Sequence, residues 1–244
     1  MYKFMSIYLS ISEAAEYLGI SKQTLRRWDE SGHFKASYVT PGGHRQYALS
    51  DLARLGRGIY RLALDWASAD EPIELPEDFY CPNSELFRIR LEKMAVMLDR
   101  NDSTKEISSL VTSVAGEIGN NSFDHNIGNW PDILGSFFAY DLGKRILVLA
   151  DRGRGIKKTL QVVRPNIVDD AEALRVAFTE IVTGRSPEHR GNGLKYARKV
   201  IVAYGLTLKF LSGDSELEIA KRSDEISIRK ASVPIRGCLA LIEF

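Results

Sequence analysis

Cysteine is nearly absent from this chain: two residues in 244, Cys81 and Cys238, far apart and in no Cys-x-x-Cys pair. That excludes a disulfide framework, offers no zinc-binding pattern and points to a reducing, cytoplasmic compartment. No apolar run reaches about 18 residues, so no membrane span is expected. The first residues, Met1 to Ser6, are too few and too mixed for an export signal. Two familiar phosphate-loop spellings are missing as well. Neither Gly-x-Gly-x-x-Gly nor Gly-x-x-x-x-Gly-Lys-Ser/Thr occurs, which removes the usual dinucleotide and P-loop readings.

What is present is ordinary soluble material, 44% apolar and 27% charged, with charge unevenly spread. Residues 1–61 hold nine Lys/Arg against five Asp/Glu. Residues 62–87 hold seven acidic residues and no basic one, and residues 88–244 hold 24 basic and 20 acidic. The acidic stretch also carries Pro72, Pro76 and Pro82. Like charge and proline both oppose a compact element, so residues 65–84 read as a linker between a head, 1–64, and a body, 85–244. A solvated loop inside one domain is the alternative.

In the head, Ser12 can cap a helix through Leu18, with Ala14, Ala15 and Leu18 on one face and Gly19 as its stop. Ser21 can cap a second helix, Lys22 to Trp28. There Ile20, Leu25 and Trp28 face inward, and Lys22, Gln23, Arg26 and Arg27 outward. Two short helices about a glycine turn make a helix-turn-helix. Thr40-Pro41-Gly42-Gly43-His44-Arg45-Gln46-Tyr47 spells a tight hairpin, a wing with His44 and Arg45 at its edge. Ser50 and Asp51 open a further helix, Leu52 to about Leu64.

Ile11-Ser12-Glu13-Ala14-Ala15, Gly19-Ile20-Ser21, Thr24-Leu25-Arg26-Arg27-Trp28 and the wing, in that order, resemble the MerR/excisionase class of winged helix-turn-helix modules over residues 8–60. The resemblance implies that the second helix enters the major groove of double-stranded DNA while the wing grips the backbone. Gln23 can read a base edge. Lys22, Thr24, Arg26, Arg27, His44 and Arg45 complete the candidate contacts, the arginines and lysine neutralising phosphates. A head that docks protein is the alternative. Half-sites usually come in pairs, so a homodimer is expected. The candidate segment is Ser84 to Gly116, with Leu86, Ile89, Met94, Met97 and Leu98 near helical spacing, unless these residues pack on the body.

Three boxes mark the body. In Val114 to Asn126, Glu117, Asn121, Asp124 and His125 fall on nearby helical faces. An amide oxygen one turn from a carboxylate can complete a Mg²⁺ shell and hold a water against a phosphate; a merely solvated stripe has the same look. In Arg145 to Ile156, an apolar strand runs into Asp151-Arg152-Gly153-Arg154-Gly155. A strand-end carboxylate can accept from an exocyclic amine such as that of adenine, although a plain strand-to-loop turn would read alike. Arg190-Gly191-Asn192-Gly193-Leu194-Lys195 opens a helix to Tyr204, and a glycine loop at a helix N-terminus is an anion site.

In this order the boxes resemble the GHKL superfamily of gyrase, heat-shock chaperones and histidine kinases, over residues 105–244. The implied fold class is α+β: the winged head plus a two-layer α/β sandwich with a mixed, mainly antiparallel sheet closed by Gly237 to Phe244. The resemblance implies ATP and Mg²⁺ as cofactors. Asn121 would hold the metal, Asp151 would contact adenine, and Asp124 joins the cofactor-binding set. Gly153, Gly155, Gly191, Gly193 and Leu194 would shape the pocket. Glu117 stands where hydrolysing members place their general base, and Thr183 to Arg190 would form a lid. Arg190 and Lys195 are candidate γ-phosphate contacts or solvated charges. The only histidines ahead of the body, His33 and His44, lie in the head, so no histidine autokinase is expected. The combination implies a transcriptional regulator whose DNA binding responds to ATP. The alternative is a serine/threonine kinase of the anti-sigma type, or an ATPase effector with a protein partner, its head used for targeting.

Overall fold

The computed structural model describes residues 7–18, 22–32, 34–53, 57–75, 77–142, 144–181 and 193–244. The chain divides into two compact units, Met1–Leu62 with Glu74–Pro76, and Ala63–Ile73 with Glu77–Phe244.

In the first unit β1 (Tyr8–Ser10) leads directly into α1 (Ile11–Leu18). Then follow α2 (Lys22–Ser31), β2 (Tyr38–Val39), β3 (Arg45–Ala48) and α3 (Leu49–Ala53), and α4 (Arg57–Ser68) begins. The cap of α1 is Ser10 and not Ser12. Ser10 Oγ accepts from the Glu13 N–H at 3.4 Å, and Glu13 Oε2 accepts from the Ser10 N–H at 2.8 Å. This reciprocal Ser-x-x-Glu box satisfies two free donors at once; Ser12 has Ala15 three residues on and cannot form it. The strands pair antiparallel in the order β1-β3-β2. In the β2–β3 turn, the Gly43 N–H donates to Thr40 O at 2.8 Å, with Gly43 at φ 78°, where a side chain would be strained. Ala14, Ala15, Leu25, Tyr47 and Leu52 form the core, and Phe34 stacks on Tyr47 at 5.8 Å. Of the helix expected from Leu52 to Leu64, Leu52 and Ala53 end α3 and residues 57–64 lie in α4. Residues 54–56 between them, like Gly19, Ile20 and Ser21, lie outside the described residues.

The second unit contains β4 (Tyr80–Cys81), α5 (Ser84–Arg100), α6 (Ser108–Asp124), β5 (Ser136–Asp141), β6 (Ile146–Asp151), α7 (Gly155–Gln161), α8 (Asp170–Thr179), α9 (Gly193–Tyr204), β7 (Thr207–Ile219) and β8 (Ile226–Glu243). Five strands pair in the order β4-β5-β6-β8-β7. Every pairing among the described residues is antiparallel, and the sheet was expected to be mainly so. The fold class is α+β. Alternate residues Phe138, Leu147, Leu149, Phe210, Ala240 and Ile242 join one core with residues of α5, α6, α8 and α9. The intervening Phe137, Val148, Ala150 and Leu239 are buried too. With both faces hidden, the central strand β6 reads as one unbroken apolar run. Gly119 lets α5 and α6 touch, since a Cβ there would fall 2.1 Å from Phe87 Cζ.

Two expectations change here. Residues 65–84, read as a linker, are built into elements: the end of α4, a 3-10 turn at Glu77–Phe79, strand β4 and the Asn83 cap of α5. Composition does not signal this because the partners lie far along the chain, β4 on β5 for example. Of the residues read as a dimer face, Met94 and Leu98 lie in the core of this unit, while Ile89 and Met97 are exposed. No helix among the described residues is long and apolar enough to cross a membrane.

Candidate functional site

The central strand β6 delivers Asp151 to the floor of a cavity, and the helix α6 runs along one wall. Asn121, Ser122, His125 and Asn126 of α6 and its C-terminal turn line it, together with Asp151, Gly155 and Thr159, Leu194 of α9, and Phe210 and Cys238 of the sheet. Counted with its open side, the hollow holds about 450 Å³.

Asp151 is 3% exposed. Its Oδ1 accepts from the Gly153 N–H at 2.8 Å and its Oδ2 from the Ser122 hydroxyl at 2.9 Å. Burial pushes the carboxyl up to about 6, against those donors, which favour the charged form. Asn126 fastens the turn that follows: its Oδ1 accepts from the Arg154 N–H at 2.9 Å, and its Nδ2 donates to Ser122 O at 2.8 Å. From β8, Gly237 stands at φ 67°, where a Cβ would fall 2.2 Å from Asp151 O. Ser122, Asn126 and Gly237 were not among the expected site residues. Only Gly237 carried a readable signal, a glycine within an apolar strand, which marks close backbone approach.

The expected residues are not all brought together. Asn121, Asp151, Gly155 and Leu194 line the one cavity. Glu117 is exposed and stands over the start of α9, its Oε2 2.5 Å from where a Gly193 Cβ would be. Gly153 is buried behind Asp151. The Lys195 ammonium donates to Glu180 O at 2.6 Å, and burial lowers its pKa. Asp124 is apart from the rest, in an open concavity with Ser84, Glu85, Arg88 and Asn120, the last one helical turn back on α6. Arg190, Gly191 and the lid, Thr183 to Arg190, lie outside the described residues. No group of three or more His, Cys, Asp or Glu among the described residues could hold a metal. Mg²⁺ fits here only with phosphate and water supplying most of its oxygen shell.

In the first unit, Lys22, Gln23, Arg26 and Arg27 are exposed on α2 and His44 is exposed on the wing. The side chain of Thr24 is outside the described set. Arg45 is placed differently from the rest. Its Nε donates to Asp29 Oδ2, its Nη2 lies 3.7 Å from Glu30 Oε1, and Asp29 Oδ1 accepts from the Ala36 N–H at 3.0 Å. The Arg45 guanidinium beside it holds the Asp29 carboxyl below the usual range.

Residues 8–55 match the family model described as a helix-turn-helix domain, and α1, α2 and the wing all fall within that span. No curated protein matches the chain. Among solved structures, the chain is similar to the 43K ATPase domain of Thermus thermophilus gyrase B in complex with an aminocoumarin. The identity is 14% and the TM-score 0.32, over 64% of this chain and 40% of that one. The chain thus spans less than half of that protein's length, and so loose a likeness decides nothing about the cavity.

Proposed function

We propose that this chain is an ATP-responsive, DNA-binding regulator with a MerR/excisionase-type head and a GHKL-type body. One observation carries the reading: Asn121 of α6, Asp151 at the end of β6 and Leu194 in the first turn of α9 line a single cavity. Ionised Asp151 would accept from the exocyclic amine of adenine. A base presenting a carbonyl there would set acceptor against acceptor, an unpaired buried contact. The free N–H groups at the start of α9 would face phosphate oxygens. Mg²⁺, when bound, would neutralise phosphate charge, and Asn121 is the residue that would hold it. Glu117, exposed and one turn before Asn121, would take the proton of an attacking water.

Outward Lys22, Gln23, Arg26 and Arg27 would contact double-stranded DNA, two heads of a homodimer taking two half-sites. ATP alters DNA affinity only by binding two arrangements of the chain unequally. Calorimetry with ATP and Mg²⁺ on the full chain tests the site. Binding is expected, and Asn121→Ala should abolish it while circular dichroism and DNA binding stay unchanged. Binding that survives Asn121→Ala would remove the site. DNA affinity equal with and without ATP would sink the regulation.

The exposure of Glu117 favours a second reading. A partner's hydroxyl would reach it as readily as water does, making the body a protein kinase. Radiolabelled ATP separates the two: label on a protein favours the kinase, free phosphate alone the regulator that hydrolyses.

A further inference from the structure

Within the Asp151–Gly155 turn, Arg152 takes no part in lining the cavity. The Arg152 side chain, one residue past the end of β6, is fully buried and shares no hydrogen-bond partner with the Asp151 carboxyl. Its guanidinium donates to the carbonyls of Trp66, of Ala69 at 2.9 Å and of Asp70 at 3.3 Å. It also donates to Asp132 Oδ2, from Nε at 3.0 Å and from Nη2 at 2.6 Å. It lies over the Trp66 ring, 5.9 Å from the centroid. All three nitrogens of the rigid fork are thereby engaged.

Trp66 is in the last turn of α4, and Ala69 and Asp70 follow it. Arg152 therefore satisfies carbonyls that a helix end leaves without partners and sets a cation at the negative end of the helix dipole. Residues 63–73 share a compact unit with Arg152, whereas α4 starts at Arg57, among residues of the other. Separating a buried guanidinium from its acceptors strands charge in the interior. The fork and the end of α4 are thus held to move as one group.

We infer that Arg152 is the positioning residue through which occupancy of the cavity reaches helix α4. A ligand on Asp151 that shifts or stiffens Asp151–Gly153 carries the guanidinium, and with it the carbonyls at the helix end. This rests on the nucleotide reading above and names the route by which that site acts. Arg152 itself touches no ligand.

Hydrogen exchange on the full chain, with and without the ATP analogue AMP-PNP and Mg²⁺, tests it. Amides around Asn121 and Asp151 should exchange more slowly with nucleotide, and those of residues 66–73 should slow at least about fivefold, the low end of ordinary coupling between sites. Arg152→Lys keeps the charge but not the fork. It should retain the protection around Asn121 and lose that at 66–73. Asp132→Asn, a milder change, should shrink it. Protection at the cavity with residues 66–73 unaffected in the wild-type chain overturns the route and leaves the nucleotide reading standing. An undiminished effect at 66–73 in a folded variant also overturns the route. No protection in either place overturns the nucleotide reading, and the route falls with it.

Discussion

The first unit carries its candidate chemistry on the outside and the second on the inside. Lys22, Gln23, Arg26 and Arg27 project into solvent above a core of five buried residues among those described. Asp151 is 3% exposed in a unit whose core holds 26 buried residues among those described. An exposed site can be altered without touching the fold, but the fold beneath it is thin. A buried site is inseparable from its fold, yet that fold can lose a side chain and stand. Mutational effects should therefore separate cleanly.

The largest effect is expected at Phe87, fully buried and edge-to-face with Phe138 at 5.3 Å. Phe87→Ala should cost about 3–5 kcal/mol of the second unit's stability, read by chemical denaturation, with that unit still folded at 25 °C. Leu25→Ala should cost about 2–5 kcal/mol, enough to unfold the first unit. DNA binding would be lost and nucleotide binding kept. A variant that melted both units together would break the comparison.

The pH dependence comes next. The Asp151 carboxyl is raised from an ordinary 3.8 to about 6, so folding favours its neutral form. That contribution is full below about pH 4 and is lost as pH rises through about 6, on the order of 3 kcal/mol at 1.36 kcal/mol per pKa unit. Nucleotide affinity should run the other way, because the accepting form is ionised. Kd should rise about tenfold per pH unit below about 6, measured by calorimetry between pH 5 and 8. A flat profile would strip Asp151 of its role. The smallest effect belongs to Arg26→Ala. Stability should stay within about 0.5 kcal/mol, while the slope of log affinity for DNA against log salt becomes shallower by about 0.9. An unchanged slope would mean that Arg26 touches no phosphate.

Legibility followed the range of the interactions. The β6–Asp151 box could be read because a strand buried on both faces is one apolar run ended by a carboxylate. The outward face of α2 and the helix α9 rested on helical periodicity and were equally plain. What stayed hidden depends on partners far along the chain. Arg152 reaches back to Trp66, Ser122 donates across to Asp151, and β4 finds β5. Acidic, proline-bearing composition at 65–84 therefore suggested a linker where the chain is tied in. Arg45 shows the same limit over a shorter span: its place in the wing suggested a phosphate contact, and only the fold reveals Asp29 beside it.

That Asp29–Arg45 pair has a consequence for specificity. It braces the wing against α2, so the spacing of these two elements is set by the fold itself. Such preorganisation moves the ordering cost from docking to folding. On the proposed DNA-binding reading, the head would then act as a rigid gauge, rejecting grooves of the wrong width instead of adapting to them.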